Sequence, residues 1–307
     1  MERWRGIDSV PSGWGRSVVT IGVFDGVHRG HRQLIARAVA VAEERGLHST
    51  VVTFDPHPAE LVRPGSHPAA LTTLERRADL VAELGADAFC VIPFTAELAR
   101  MEPAEFAHEI LVDTLHTAVV VVGTNFTFGY KAVGDLDTLR ELGSRFGFQV
   151  EGLDLMSGAG VTFSSTYIRS CIDAGDMEAA AAALGRPHRV DGVVVHGDKR
   201  GRELGFPTAN VSCAEHTAIP ADGVYAGWFT IGDRRLPAAI SVGSNPTFSG
   251  RVRTVEAFVL DVHEDFYGHE VGVEFAHRLR GMERYDGIEP LIAQMNKDVE
   301  RTRELLG

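Results

Sequence analysis

The chain has 307 residues, of which 44% are hydrophobic and 23% charged, and its formal net charge is −12. That length suffices for two domains with sizeable cores. The acidic balance repels nucleic acid and anionic membranes, so an anionic ligand must be held by local donors. No stretch approaches the roughly 18 apolar residues that a membrane span needs. The first twenty residues carry Arg3, Arg5 and Arg16 and no apolar core, so no signal peptide is expected. Cys90, Cys171 and Cys213 lie far apart without a Cys-x-x-Cys spacing, and read as reduced thiols of a cytoplasmic protein rather than a metal knuckle.

From about residue 17 to 155, apolar runs alternate with helical patterns. The runs at 18–21, 50–54, 88–92 and 118–122, with a weaker one near 148–155, show no polar alternation, as expected of parallel strands buried on both faces. Between them, stripes such as Leu34, Ile35, Ala38, Val41 and Ala42 predict a helix over Gln33–Arg45, and Leu74, Ala78, Val81 and Ala82 predict another, each ended by a glycine. Strand-helix alternation at this spacing predicts a doubly wound parallel sheet with right-handed crossovers.

The polar phrases fall after the strands. The first is Gly22-Val23-Phe24-Asp25-Gly26-Val27-His28-Arg29-Gly30-His31, where open α/β sheets put ligands. Its glycines permit close approach of the backbone, its two histidines share a face of the incoming helix, and that helix start favours a phosphate. Thr53-Phe54-Asp55-Pro56-His57-Pro58 reads as a stiff extended loop. With His28 and His31, Asp55 and His57 also compose a possible zinc set, although the glycine turn suits phosphate better. Pro93 to Leu98 and Gly123 to Gly129 follow the third and fourth strands. Phe163-Ser164-Ser165-Thr166-Tyr167-Ile168-Arg169 reads as a helix N-cap, which is also a polyphosphate site. Gly185-Arg186-Pro187 marks a domain boundary.

After residue 188, short apolar runs at 193–195, 224–231, 236–242, 254–262 and 271–276, separated by glycine and proline turns, predict an antiparallel sheet or barrel. Which face Glu256 takes is uncertain from the pattern Val252 to Val262. Ile288, Leu291, Ile292, Met295 and Val299 form the stripe of a final helix expected to pack on the barrel. Gly197 to Gly205, with Lys199, Arg200 and Arg202, suits a loop over phosphates.

These phrases in this order resemble bacterial bifunctional riboflavin kinase/FMN adenylyltransferases (FAD synthetases). The His-x-Gly-His phrase at 28–31, Gly123-x-Asn125-Phe126-x-Phe128-Gly129 and Ser164-Ser165-Thr166-x-Ile168-Arg169 are similar to the adenylyltransferase half. Gly205-Phe206-Pro207-Thr208-Ala209-Asn210, Pro220-x-x-Gly223-Val224-Tyr225, Asn245-Pro246-Thr247-Phe248 and Tyr267-Gly268 are similar to the kinase half. The resemblance implies a Rossmann-like, doubly wound nucleotidyltransferase domain over 1–185 and an antiparallel β-barrel riboflavin kinase domain with a terminal helix over 186–307. It implies ATP contacts at Gly22, Phe24, Asp25, Gly30, Asn125, Ser164, Ser165, Thr166, Arg169, Gly197, Gly201 and Arg202. It implies flavin contacts at Pro56, His57, Pro58, Phe94, Phe126, Phe128 and Tyr225. His28 and His31 are implied as catalytic groups of one half and Glu256 as the general base of the other.

Mg²⁺ is implied on Thr208 and Asn210, whose hydroxyl and amide oxygens are hard donors. ATP, riboflavin and FMN are the implied substrates, and a cytoplasmic monomer or weak homo-oligomer without nucleic-acid or membrane partners is expected. Asn125 departs from the family's acidic residue: it keeps an acceptor but carries no charge. A flavin-binding regulator and a transferase with another nucleotide remain rival readings on the residues alone.

Overall fold

The computed structural model describes residues 1–65, 67–158, 160–197, 205–247 and 250–307, with side chains at 245–247 and 250–252 outside that description. By contact the chain divides into two units, Met1–Pro68 with Leu74–Phe163, and Ala69–Thr73 with Ser164–Gly307.

In the first unit the strands are β1 (Glu2–Arg5), β2 (Ser17–Ile21), β3 (His48–Asp55), β4 (Ala88–Pro93), β5 (Thr117–Gly123) and β6 (Gln149–Leu153). They form one parallel sheet in the order β1-β4-β3-β2-β5-β6. Every residue of β2 and β5 is buried, so neither face needs polar residues and alternation is absent. The helices are α1 (Arg29–Arg45), α2 (Pro58–Val62), α3 (Leu74–Ala82), α4 (Pro103–Phe106), which runs on in wider turns through Thr114, and α5 (Leu136–Phe146). Successive residues of β2 serve opposite cores: Val18 packs with Ala38 and Val41 of α1, Val19 with Ile110 and Leu139. Helices therefore cover both faces, as predicted.

Three local readings need correction. The first helix starts at Arg29, not Gln33, because the His28 side chain accepts the His31 N–H and serves as the cap. The Pro-His-Pro loop is extended only to His57; Pro58 then opens α2, with His57 Nδ1 accepting the Ala59 N–H at 3.0 Å, since proline suits the first helical position. Two elements give no periodic signal and were not expected: β1, a four-residue edge strand in which only Trp4 is buried, and the small hairpin of β7 (Ser157–Gly158) and β8 (Val161–Thr162).

The second unit begins with α6 (Ser165–Ala174) and α7 (Met177–Leu184). It continues with β9 (His188–Val195), β10 (Ala209–Cys213), β11 (Gly223–Ile231), β12 (Arg234–Thr247), β13 (Gly250–Val259) and β14 (Glu270–Arg280), and ends in α8 (Ile288–Leu306). The strands close into a barrel, β10-β13-β12-β11-β14-β9, with antiparallel neighbours throughout. Closure removes exposed sheet edges. At Gly227 a Cβ would lie 1.8 Å from the Glu274 carbonyl oxygen, so the β11–β14 contact requires glycine. Strand β10 was missed because it lies inside the Thr-Ala-Asn phrase.

Helix α8 packs on β11, β12 and β14, but not simply through its apolar stripe. Ile288 is 61% exposed, while Asp298 and Thr302 are its buried residues. The reason is Arg280 of β14, whose Nε and Nη2 grip the Asp298 carboxylate at 2.8–3.1 Å, with Gln294 donating to the same carboxylate. Both charges are largely removed from water, so removing one partner strands the other. Asp298→Ala should lower the unfolding free energy of the second unit by about 3 kcal/mol, read by denaturant titration; a change below about 0.5 kcal/mol, as for ordinary surface substitutions, would contradict this reading of α8.

Candidate active sites

The strand order reverses at β2, which has β3 on one side and β5 on the other. Open α/β sheets bind ligands at the carboxyl ends of strands at such a point. The His-x-Gly-His phrase leaves the end of β2 there, and the Gly123–Gly129 phrase leaves the end of β5. His28 is 5% exposed. Its ring stacks on that of His31 with centroids 3.6 Å apart, and Phe24 stands edge-on to His31 at 5.2 Å. Gly30 packs under the His28 ring: a Cβ there would lie 3.2 Å from it. At Gly22 a Cβ would similarly meet the Phe24 ring at 3.2 Å.

His31 Nδ1 is buried and has no hydrogen-bond partner among the described residues. Burial first, then the neighbouring His28 and Arg77, holds the His31 imidazole well below the ordinary histidine value of 6.5. The start of α1, with its free N–H groups beside the weakly basic His31, makes a site for phosphate oxygens that rests on backbone donors rather than a basic surface.

The other implied nucleotide and flavin residues of this unit sit at neighbouring strand ends. Asn125 is exposed after β5, with Oδ1 2.9 Å from where a Gly123 Cβ would be. Phe54 and Phe94, at the ends of β3 and β4, meet edge-to-face at 5.7 Å. Phe126 is half-buried and stacks on Phe128 at 5.6 Å, while Phe128 belongs to the core against Phe106. Pro56 is exposed, and His57 and Pro58 half-buried. Asp55 pairs with Arg5, and among the described residues no group of three or more His, Cys, Asp or Glu is placed to hold a metal ion. The zinc set of His28, His31, Asp55 and His57 is therefore not assembled.

One buried charge in this unit escaped the sequence reading. Arg77 of α3 is 7% exposed and donates to the Val23 carbonyl at 2.9 Å and to Asp25 at 3.2 Å. An arginine in an apolar helical stripe was the available signal.

In the second unit Ser164 caps α6 by accepting the Tyr167 N–H at 3.1 Å. Ser165 and Thr166 form its first turn, and Arg169 Nε donates to the Ala69 carbonyl at 2.6 Å. On the barrel, Val255, Ala257 and Val259 of β13 face the core, which leaves Glu256 on the opposite face. In register beside it are Asn210 of β10 and Ser241 of β12. Directly opposed residues of antiparallel strands share a face, so an amide, a carboxylate and a hydroxyl form one row; Ser241 was not foreseen. Thr208 Oγ1 donates to Glu256 Oε2 at 3.3 Å. At Gly197 a Cβ would lie 2.5 Å from the Asn210 amide, so only glycine leaves that amide clear. Tyr225 is fully buried, with its hydroxyl donating to the Ala221 carbonyl. Gly201 and Arg202 lie outside the described residues.

The depressed His31 basicity has a checkable consequence. An unfolded chain binds that proton more readily, so the group has no cost above pH 6.5 and destabilises the fold as pH falls through that value. In imidazole NMR spectra His31 should titrate well below 6.5; a midpoint at or above 6.5 would contradict the site geometry.

Residues 11–167 match the FAD synthetase family model and residues 184–306 the riboflavin kinase model. A bifunctional riboflavin kinase/FMN adenylyltransferase of Listeria monocytogenes is 38% identical over 288 residues, 93% of this chain and 91% of that protein. One from Pseudomonas fluorescens is 37% identical over 306 residues, 99% of this chain and 98% of its own. Among solved structures, a Streptococcus pneumoniae chain described as a macrolide-efflux protein is 30% identical with a TM-score of 0.90, covering 99% of each chain. Among the described residues of the present chain no helix is long and apolar enough to cross a membrane. Two strand-end histidines on a doubly wound sheet, an Asn-Glu-Ser row met by Thr208 on a closed barrel and full-length similarity lead to one conclusion: the chain belongs to the bifunctional riboflavin kinase/FMN adenylyltransferase family.

Proposed function

We propose that the barrel phosphorylates riboflavin to FMN with ATP, and that the His-x-Gly-His unit adenylylates FMN to FAD with release of pyrophosphate. The observation that carries the two-site reading is the presence of two distinct polar constellations: the stacked His28/His31 pair at the sheet switch point, and the Thr208–Glu256 contact on the barrel.

In adenylyl transfer an oxygen of the FMN phosphate bonds to the α-phosphorus of ATP while the bond to the bridging oxygen of pyrophosphate breaks. The attacking group is already an anion, so no protein nucleophile is needed. His28 and His31 donate hydrogen bonds to the charge that builds on the phosphate. Gly22, Phe24, Asp25 and Gly30 shape the loop, and Asn125 offers its amide to the nucleotide. The FAD synthetase match runs to residue 167, which supports assigning Ser164, Ser165 and Thr166 to the triphosphate, with the adjoining Arg169 taken with them; the riboflavin kinase match starts at residue 184, which supports drawing the functional boundary at 185/186. Phe94, Phe126, Pro56, His57 and Pro58 flank the isoalloxazine, with Phe128 supporting Phe126 from the core.

In the kinase reaction Glu256 takes the proton of the riboflavin 5′-hydroxyl, whose oxygen attacks the γ-phosphorus and releases ADP. Positioning and charge neutralisation carry most of such a transfer. The donor set beside Glu256 fits Mg²⁺: a hydroxyl, an amide oxygen and a glycine that leaves the amide clear. Thr208 and Asn210 would hold the ion, which when bound neutralises phosphate charge. Gly197 is assigned to the phosphates, as are Gly201 and Arg202, which lie outside the described residues, and Tyr225 supports the flavin end from within the core. The enzyme acts in the cytoplasm as a monomer or weak homo-oligomer.

The two sites separate by substitution. His28→Ala should cut FAD formation from supplied FMN by about 10²–10³-fold and leave FMN formation intact. Glu256→Gln should cut FMN formation by about 10²–10⁴-fold and leave FAD formation from FMN intact. Chromatography of the flavins reads both, and equal loss of both activities in either variant would sink the two-site reading.

A further inference from the structure

The loop that delivers the histidines is held in an unfavourable conformation. Phe24, Gly26 and Val27 have φ of 51°, 83° and 38°, and a β-branched residue such as Val27 rarely adopts that region. Backbone of this kind persists only where the surroundings over-determine it. Two side chains from other elements do so here. Thr53 at the end of β3 donates to the Val23 carbonyl at 2.9 Å, and Arg77 of α3 donates to the same carbonyl at 2.9 Å and to Asp25 Oδ1 at 3.2 Å. Asp25 and Arg77 are 3% and 7% exposed.

A buried ion pair is weak evidence for stability, because apolar residues of similar volume often do as well. Its presence one turn from the histidines has a better account in the reaction. An unpaired Asp25 carboxylate would repel an incoming polyphosphate, whereas paired with Arg77 it is neutralised and fixed. We infer that Arg77 is a positioning residue for adenylyl transfer: through Asp25 and the Val23 carbonyl it sets the loop that presents His28 and His31 to the reacting phosphate. This rests on assigning that loop to adenylyl transfer. Arg77 also lies close enough to His31 to disfavour its protonation, after burial and His28, which keeps the imidazole a neutral donor. Asp25 then acts through the loop rather than on the nucleotide.

The test uses the full chain with FMN and ATP supplied, and riboflavin phosphorylation by the same preparation as the folding control. Misplacing a catalytic group by about 1 Å costs about 100-fold, so Arg77→Met should lower kcat for FAD formation by about that factor, with KM for ATP within about threefold and riboflavin phosphorylation retained. Arg77→Lys, which keeps a donor and a charge but not the fork, should recover kcat to within about tenfold of the parent. Asp25→Asn combined with Arg77→Met should be no slower than Arg77→Met alone, because the pair acts as a unit. The inference is overturned if Arg77→Met keeps kcat within about threefold of the parent, if lysine is no better than methionine, if the two losses multiply, or if both activities fall in step. Failure of the underlying site assignment looks different: His28→Ala would then form FAD like the parent.

Discussion

The reversal of strand order at β2 is the constraint from which the chemistry of the first unit derives. Because β3 and β5 are laid on opposite sides of β2, the crossovers after them cover opposite faces, and the carboxyl ends of β2 and β5 open a crevice between them. A strand buried on both faces turns its side chains, Ser17 and Thr20 included, into the cores, so a ligand there must be held by the segment beyond the strand end. Beyond β2 that segment is a helix start capped by a histidine; beyond β5 it is a glycine-bounded loop carrying Asn125. On the proposed assignment, a chain with a net charge of −12 would meet polyphosphate with backbone N–H groups, a helix dipole and imidazole donors rather than a basic surface.

The barrel solves the same problem with a different geometry. Alternation along β13 sends Val255, Ala257 and Val259 inward and Glu256 outward, and antiparallel register sets Asn210 and Ser241 beside it. Three strands therefore converge their polar residues without a crossover loop, and closure of the barrel fixes their spacing. Slipping β10 by one residue would turn Asn210 into the core and Val211 to the surface, so apolar packing on one face specifies the site on the other.

Much of this was legible in the sequence, for identifiable reasons. Strands buried on both faces read as unbroken apolar runs, and the two phrases were long enough to single out the histidines, Thr208 and Asn210 as candidates. The hidden features were tertiary. Arg77 lies in a helix whose apolar stripe is otherwise ordinary, and nothing local says that its guanidinium reaches Val23 and Asp25, 54 and 52 residues away. The polar latch of α8 was hidden in the same way, since Asp298 is buried only because Arg280 meets it. The face of Glu256 was undecidable from an irregular alternation and was settled by register. Edge strand β1 is too short to carry a pattern, and the start of α1 was misread because histidine is an uncommon cap.

The central claim is that one chain performs two transfers in series, one at the histidine pair and one at the barrel carboxylate. The most direct measurement is a time course: the purified chain with riboflavin, ATP and Mg²⁺, and the flavins separated by chromatography. The account predicts that FMN appears first and that FAD then forms at its expense. FMN that accumulates without FAD, or riboflavin that is bound and never converted, would contradict it.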